Sequence, residues 1–173
     1  VFKPGDEVLI TQLDHEANRG PWLTLRDFGI KVREVKLLSS GILDYEDFEN
    51  KINENTRLVC MGMSSNCIGT VNDFKLVRKL TYRYNAWLLL DAVHYAPHFS
   101  IDVQEIGCDF LLCSAYKFYG PHVGILYSKP GLLDHLPTDR LRTAGQTAPD
   151  SIETGTLNHA AIAGVSGAVE FLA

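Results

Sequence analysis

Residues 87–117 carry the sequence WLLLDAVHYAPHFSIDVQEIGCDFLLCSAYK, in which two short apolar runs each lead into a set of polar side chains. The first run, 87–91, ends at Asp91, and the second, 109–113, leads to Lys117. Short apolar runs separated by helix-like segments are typical of a parallel sheet covered by helices. Because parallel strands end at one edge of their sheet, we expect these polar groups to share one crevice.

The same alternation of apolar runs and helix-like segments continues on both sides of this stretch. We predict strands at 7–12, 31–37, 57–61, 87–91, 109–113 and 124–128. We predict helices at 19–28, 44–53, 73–84 and 164–173, and a long irregular segment at 130–153. The predicted fold is therefore α/β, with three layers in which helices flank a mostly parallel sheet.

Composition restricts the class of protein. The 173 residues, 46% hydrophobic and 21% charged, suffice for one domain, 1–173, with one core. A net charge of -5 with scattered Lys and Arg argues against a nucleic-acid partner. The longest apolar runs are too short to span a bilayer, so we expect no membrane association.

The four cysteines form no CxxC pair, which indicates neither a disulfide framework nor a zinc site and favours a reducing, cytoplasmic compartment. The chain begins with Val, and its last helix lacks a Gly or Asn cap. We therefore expect a fragment of a longer protein.

Lys117 is the candidate nucleophile. It follows an apolar strand and precedes an aromatic turn, so we expect desolvation to favour its neutral amine, the form that attacks an aldehyde. The same context suits a lysine whose ammonium reaches water along an apolar stem. Both interpretations stay open from the local sequence.

Asp91 and His94 follow the most apolar strand. A carboxylate in such surroundings needs a partner, and an ionised Asp opposite a pyridine ring keeps the ring nitrogen protonated, so that the ring accepts electrons. A helix cap or a buried salt bridge would satisfy Asp91 equally well. His94, three residues later, is suited to hydrogen-bond a ring oxygen.

Other polar strand ends suit a planar, phosphorylated ligand. The ring of His15 is able to stack on a flat ring and to move protons near neutral pH, although a solvated histidine would have the same acidic neighbours. The hydroxyls of Ser114 and Tyr116, and the turn Glu153-Thr154-Gly155-Thr156, suit a phosphate. The motifs GxxxxGK[ST] and GxGxxG are missing, which disfavours a nucleotide.

A second hypothesis is a metal-dependent hydrolase that uses His15, His94, His98 and Asp91. His94 and His98 are spaced i, i+4, which suits one metal on one helix face. Pro97 lies between them and disfavours a continuous helix.

Taken together, the segments resemble the class V aminotransferase and cysteine desulfurase family of fold-type-I pyridoxal 5'-phosphate (PLP) enzymes, particularly its cysteine desulfurase-like branch. The motifs that carry the resemblance are Gly5-Asp6-Glu7-Val8, Asp14-His15-Glu16-Ala17-Asn18 with Pro21-Trp22, Ser65-Asn66-Cys67-Ile68-Gly69-Thr70, Asp91-Ala92-Val93-His94, Cys108-Asp109-Phe110, Ser114-Ala115-Tyr116-Lys117-Phe118-Tyr119-Gly120-Pro121 and Glu153-Thr154-Gly155-Thr156. The resemblance implies the large PLP-binding domain, without the N-terminal segment and the C-terminal small domain.

The resemblance also implies roles for single residues. Lys117 would form the Schiff base with PLP and later move a proton at the α carbon of a small amino-acid substrate. Asp91 would pair with the pyridine nitrogen, and the ring of His15 would stack on the cofactor. His94 would contact the ring oxygen, where most desulfurases have Gln.

Further roles implied by the resemblance concern the edges of the site. Asn66 would lie near the ring oxygen and the substrate carboxylate, and Ser114 and Tyr116 would contact the phosphate. In a homodimer, Thr156 would reach the phosphate of the neighbouring subunit.

The implied function is that of a PLP-dependent lyase or transferase of the cysteine desulfurase type. None of the four cysteines matches the sulfur-accepting cysteine of desulfurases, which lies in a segment that this chain lacks. A third hypothesis is therefore a non-catalytic fragment of a PLP enzyme.

Overall fold

Six strands form one sheet in the computed structural model, which describes residues 2–139, 141–153 and 155–173. The strands are β1 (Glu7–Thr11), β2 (Lys31–Val35), β3 (Thr56–Gly62), β4 (Trp87–Asp91), β5 (Phe110–Ser114) and β6 (Gly124–Ser128). Their order is β2-β1-β3-β4-β5-β6, and only β6 pairs antiparallel to its neighbour. The predicted α/β fold with a mostly parallel sheet is confirmed.

Five α-helices accompany the strands among the described residues. They are α1 (Gly20–Leu23), α2 (Tyr45–Lys51), α3 (Phe74–Arg83), α4 (Val103–Ile106) and α5 (His159–Leu172). Polar caps predicted two of them, and the short helix after β4 was not predicted. The side chains of Asp44 and Asp73 cap α2 and α3 by accepting backbone N–H bonds. The last helix begins earlier than predicted, at His159, because Asn158 Oδ1 accepts the Ala161 N–H at 3.1 Å.

The predicted helix at 19–28 is divided into two short helices, and the predicted irregular segment at 130–153 holds one short helix among its described residues. Within 19–28, α1 with Pro21 in its first turn passes into a 3₁₀ helix, Thr24–Phe28. The segment 130–153 holds turns and one short 3₁₀ helix, Leu133–His135, among its described residues, which confirms its irregularity.

Apolar side chains cover both faces of the sheet because neighbouring residues of a strand point in opposite directions. Leu88 and Leu90 of β4 pack in one cluster with α2 and α3, whereas Leu89 packs in a second cluster beneath the segment 22–25. The sheet is thus the middle of three layers.

The amino ends of the strands hold two buried carboxylates that have several partners. Asp109, just before β5, accepts bonds from Arg78 Nη1 at 2.7 Å, the Leu88 N–H at 2.8 Å and Lys129 Nζ at 3.1 Å. Glu7, the first residue of β1, accepts bonds from Arg33 Nη1 at 3.1 Å and Asn53 Nδ2 at 2.8 Å. These contacts tie neighbouring strands together.

The longest helix, α5, has 14 residues. Across the described ranges, none of the helices has the length and apolarity that crossing a bilayer requires.

Candidate functional site

A crevice opens at the carboxyl edge of the sheet, where the turns after β1, β3, β4 and β5 meet. Its cavity measures about 190 Å³. Seven of the predicted site residues line this cavity: His15, Asn66, Asp91, His94, Ser114, Tyr116 and Lys117. Side chains that lie far apart in the sequence therefore share one site, as the positions of the strand ends predict.

Lys117 lies in a 3₁₀ turn, Ala115–Phe118, that directly follows β5. Ala115 and Phe118 are buried, whereas Tyr116 and Lys117 are exposed, so the turn presents its two central residues to the crevice rim. Lys117 Nζ lies 5.4 Å from the centroid of the Tyr116 ring. Lys117 lines the crevice and is exposed, which agrees with the lysine that reaches water, one of the two interpretations that the local sequence left open.

Asp91 ends β4 with its carboxylate facing the crevice. Its Oδ1 accepts the Val93 N–H at 2.9 Å, so it caps the turn that follows. Burial raises the pKa of Asp91, against the opposing effects of this hydrogen bond and of nearby His15. In the part of the chain that the structure describes, Asp91 forms no ion pair with a Lys or Arg, so the salt-bridge alternative is wrong for that part.

The ring of His15 is exposed but held in place. Its Nδ1 accepts the Ala17 N–H at 3.1 Å and thereby caps a 3₁₀ helix, Glu16–Asn18. A neutral imidazole that accepts at Nδ1 carries its proton on Nε2. The flat ring is therefore oriented by its own backbone at the mouth of the crevice.

The two histidines of the hydrolase hypothesis belong to different cavities. His94 lines the crevice, whereas His98 lines an apolar groove of about 520 Å³ beside the end of α5. Residues 93–98 form turns without a continuous helix, as Pro97 predicts. Within 2–139, 141–153 and 155–173, no group of three or more His, Cys, Asp or Glu side chains is placed to bind a metal ion. His15, Asp91 and His94 share the crevice, and the ring centroids of His94 and His98 lie 5.5 Å apart. Among the described residues, however, these side chains do not surround one metal position.

Asp14 is a residue of the crevice whose contacts the sequence did not reveal. Its Oδ1 accepts the Gly62 N–H at 2.6 Å, and its Oδ2 accepts the Thr11 N–H at 2.9 Å. Burial of the carboxyl group raises the pKa of Asp14 to about 7, although both N–H bonds oppose this change and the residue keeps some exposed surface. The only signal in the sequence was its position after a strand, next to His15.

Hydroxyl and amide groups occupy the remaining wall of the crevice. Asn66 is exposed on a turn in which Ser65 Oγ accepts the Cys67 and Ile68 N–H groups at 3.2 and 3.3 Å. Ser114 is the last residue of β5, and the Tyr116 ring stacks on His122 at 4.8 Å. The buried Ser64 Oγ has no hydrogen-bond partner among the described residues, so this wall offers a donor and acceptor to a ligand.

Thr156 is the predicted site residue that the structure does not bring to the crevice. It is exposed and lies outside the lining of the cavity in its own chain. Thr154, which belongs to the same predicted turn, lies outside the described residues. The role of Thr156 at a neighbouring subunit stays a prediction.

A sheet of this strand order, with titratable side chains collected at its carboxyl edge, defines an α/β protein with a site for a small molecule. The family model "Aminotransferase class-V" matches residues 1–173, and the chain belongs to that family.

Similar proteins carry the name cysteine desulfurase. A probable cysteine desulfurase of Borreliella burgdorferi is 33% identical over 99% of this chain and 44% of its own length. A cysteine desulfurase of Yersinia pseudotuberculosis is 34% identical over 97% of this chain and 45% of its own length. The crystal structure of the cysteine desulfurase CsdA from Escherichia coli matches 98% of this chain and 46% of that chain, with a TM-score of 0.89 and 30% identity. The chain thus spans less than half the length of each of these proteins.

Proposed function

We propose that the protein is a PLP-dependent enzyme of the cysteine desulfurase and class V aminotransferase type, and that it acts on a small amino acid. The observation that carries this proposal is that Lys117, Asp91 and His15 line one cavity at the carboxyl edge of the sheet. Membership of the family and the names of the similar proteins support it.

The donor set of the crevice fits PLP. Lys117 offers an amine for the aldehyde, and Asp91 offers a carboxylate without a cationic partner in the described chain for the ring nitrogen. The oriented ring of His15 offers a flat surface. The hydroxyls of Ser114 and Tyr116 are available for the phosphate.

When bound, PLP supplies a ring that accepts electrons from the bond broken at the substrate α carbon. Asp91, when ionised, stabilises a proton on the ring nitrogen, because a negative charge at that position favours the cationic form. Lys117 would hold and move the proton at the α carbon, within reach of the ring that it anchors. Asn66 and His94 would orient the substrate carboxylate and the ring oxygen.

Exposure of Lys117 bears on the non-catalytic alternative. Lys117 is exposed, and a site open to water lacks the strengthened electrostatic interactions that come from excluding water. We propose that further protein covers the crevice in a homodimer, to which Thr156 contributes at the neighbouring copy's phosphate. The four free cysteines support our proposal of a reducing, cytoplasmic setting.

Borohydride reduction followed by peptide mapping tests the assignment of Lys117. We expect the protein to turn yellow with PLP, and we expect reduction to leave the label on Lys117. The variant Lys117→Ala should lose the covalent label, whereas Lys79→Ala, which removes an exposed lysine of α3, should retain it. A label on another lysine, or no binding by the whole protein, would contradict the proposal.

A product assay separates the two reaction types of the family. With L-cysteine, a desulfurase forms alanine and passes the sulfur to an acceptor thiol as a persulfide, whereas an aminotransferase forms an oxo acid and passes the amino group to an acceptor oxo acid. We expect alanine. If a longer protein exists, firm PLP binding by it but weak binding by residues 1–173 alone would favour the non-catalytic alternative for residues 1–173.

A further inference from the structure

The ring of His122 lies nearly parallel to the ring of Tyr116 at the rim of the crevice. The two ring centroids are 4.8 Å apart, and the ring planes differ by 17°. Tyr116 lines the cavity, whereas His122 is not part of its lining in the ranges that the structure describes. His122 therefore contacts a residue of the site from outside the site.

Backbone hydrogen bonds fold the segment between the two rings back on itself. The Ala115 N–H donates to the Val123 carbonyl at 2.9 Å, and the Gly120 N–H donates to the Ala115 carbonyl at 2.9 Å. A Cβ atom on Gly120 would lie 2.9 Å from the Ala115 Cβ, so this close approach of the chain requires glycine. The loop 115–123 is thus closed at both ends, and this closure brings the two rings together.

The same loop is anchored on helix α5. Phe118 is buried in one cluster with Ala168 of α5. Pro121 Cγ lies 3.2 Å from the position that a Cβ atom on Gly164 of α5 would occupy, so the proline ring packs closely on the helix. His122 directly follows Pro121. The position of its backbone therefore depends on the packing of its neighbours.

Stacking limits the motion of a phenol that is otherwise open to water. Tyr116 is 47% exposed, and an exposed tyrosine without a stacked neighbour samples several rotamers. The imidazole of His122 covers one face of the Tyr116 ring, and Lys117 Nζ lies 5.4 Å from the centroid of the same ring. A side chain that is already ordered loses less conformational entropy when its hydroxyl binds a ligand.

We propose that His122 is a positioning residue whose ring holds the Tyr116 hydroxyl in place to contact the phosphate of a planar ligand. The effect comes from the flat ring of His122 and not from its charge. The inference deepens the proposed function and rests on it, because the contact between Tyr116 and a phosphate belongs to that function. It adds a residue that lies five positions beyond Lys117 and outside the cavity.

Proton chemical shifts test the stacked rings without any ligand. The ring current of Tyr116 shifts protons that lie over its face upfield, so at least one ring proton of His122 should move downfield in Tyr116→Leu. Tyr116→Phe keeps an aromatic ring at this position and should keep the upfield shift. If the His122 ring protons have the same shifts in the unmodified protein and in Tyr116→Leu, the inference is overturned and the proposed function stands.

Calorimetry with pyridoxine 5'-phosphate tests the effect on binding, because this probe has the ring and the phosphate but no aldehyde for Lys117. We expect His122→Ala to raise its Kd about three- to tenfold, and His122→Phe, which keeps a flat ring, to bring the Kd back to within about twofold. His135→Ala is the matched control, since His135 is an exposed histidine outside the crevice lining, and it should leave the Kd unchanged. Recovery of binding in His122→Lys but not in His122→Phe would assign the effect to charge and overturn the inference.

A second background shows whether His122 acts through the Tyr116 hydroxyl. Tyr116→Phe removes this hydroxyl and keeps the ring, so adding His122→Ala to it should change the Kd by less than about twofold. An equal loss of affinity on His122→Ala in both backgrounds would contradict the positioning role. Failure of the unmodified protein to bind the probe overturns the proposed function and the binding role together, whereas the chemical shifts still decide whether the two rings stack.

Discussion

The two edges of the sheet hold their carboxylates in opposite ways. At the amino edge, Asp109 bonds to Arg78, Lys129 and a backbone N–H. At the carboxyl edge, Asp14 and Asp91 bond to backbone N–H groups, and burial raises the pKa of each. A carboxylate surrounded by cations stabilises the folded chain. A carboxylate whose ionised form burial disfavours does not stabilise the unliganded fold in this way, which fits the ligand-binding role proposed above.

The largest expected effect is a loss of stability when the ion pairs at the amino edge of the sheet are removed. Asp109→Asn puts an amide NH₂ between Arg78 and Lys129 and leaves the buried guanidinium without a counter-charge. We expect the free energy of unfolding to fall by about 3–5 kcal/mol, measured by urea denaturation. A loss below about 1 kcal/mol would show that the paired edge contributes no more than surface ion pairs do.

The next effect is a pH dependence of stability that arises from the carboxyl edge. The pKa of Asp14 is raised in the folded protein from its usual 3.8 to about 7. The folded state therefore binds the extra proton, so this contribution to stability is full below about pH 4 and is lost as the pH rises through about 7.

Each pKa unit corresponds to about 1.4 kcal/mol, so the difference between 3.8 and about 7 amounts to at most about 4 kcal/mol. Partial exposure of the residue makes about 2 kcal/mol the expected size. Asp14→Asn should remove this loss, so that urea unfolding at about pH 5 and about pH 8 differs less in the variant than in the unmodified protein. An equal difference in both proteins would assign the pH dependence to other groups.

A smaller effect is expected at Asp91. Burial raises its pKa, so its ionised form is disfavoured in the unliganded fold, and stability falls as the pH rises through that raised value. We expect Asp91→Asn to stabilise the unliganded protein by about 1 kcal/mol or less near neutral pH while weakening PLP binding. Thermal unfolding without PLP measures the change in stability, and the increase in Tm on adding PLP measures the change in binding. If Asp91→Asn destabilises the unliganded protein, then the Asp91 carboxylate supports the fold, as Asp109 does.

The smallest effect on stability is expected for Lys117. The side chain is exposed and forms no ion pair within the described residues, so Lys117→Met should change the free energy of unfolding by about 0.5 kcal/mol or less. The same variant should lose covalent attachment of PLP. A large change in stability would mean that this lysine supports the fold rather than the site.

Local sequence predicted most of the elements because their signals lie within a few residues. The strand at 87–91 matches β4, and the strand at 124–128 matches β6. The caps at Asp44 and Asp73 mark the starts of α2 and α3. The start of α5 was missed because the cap at Asn158 lies beyond the apolar periodicity that predicted the helix.

The sequence predicted which residues form the candidate site, but it predicted less well how buried each of them is. Strand ends brought His15, Asp91 and Lys117 to one cavity, as the parallel pattern required. The local sequence left the exposure of Lys117 open between two interpretations, because it depends on which residues of a single turn face inward.

The sequence by itself determined that apolar runs alternate with helices, and therefore that polar strand ends meet at one edge. Only the tertiary structure decided the charge state of that edge. The bond from the Gly62 N–H to Asp14 joins residues 48 positions apart, and burial arises from the packing of several strands together. The pKa of a carboxyl group depends on the water and charges around it in three dimensions, which no local pattern of residues specifies.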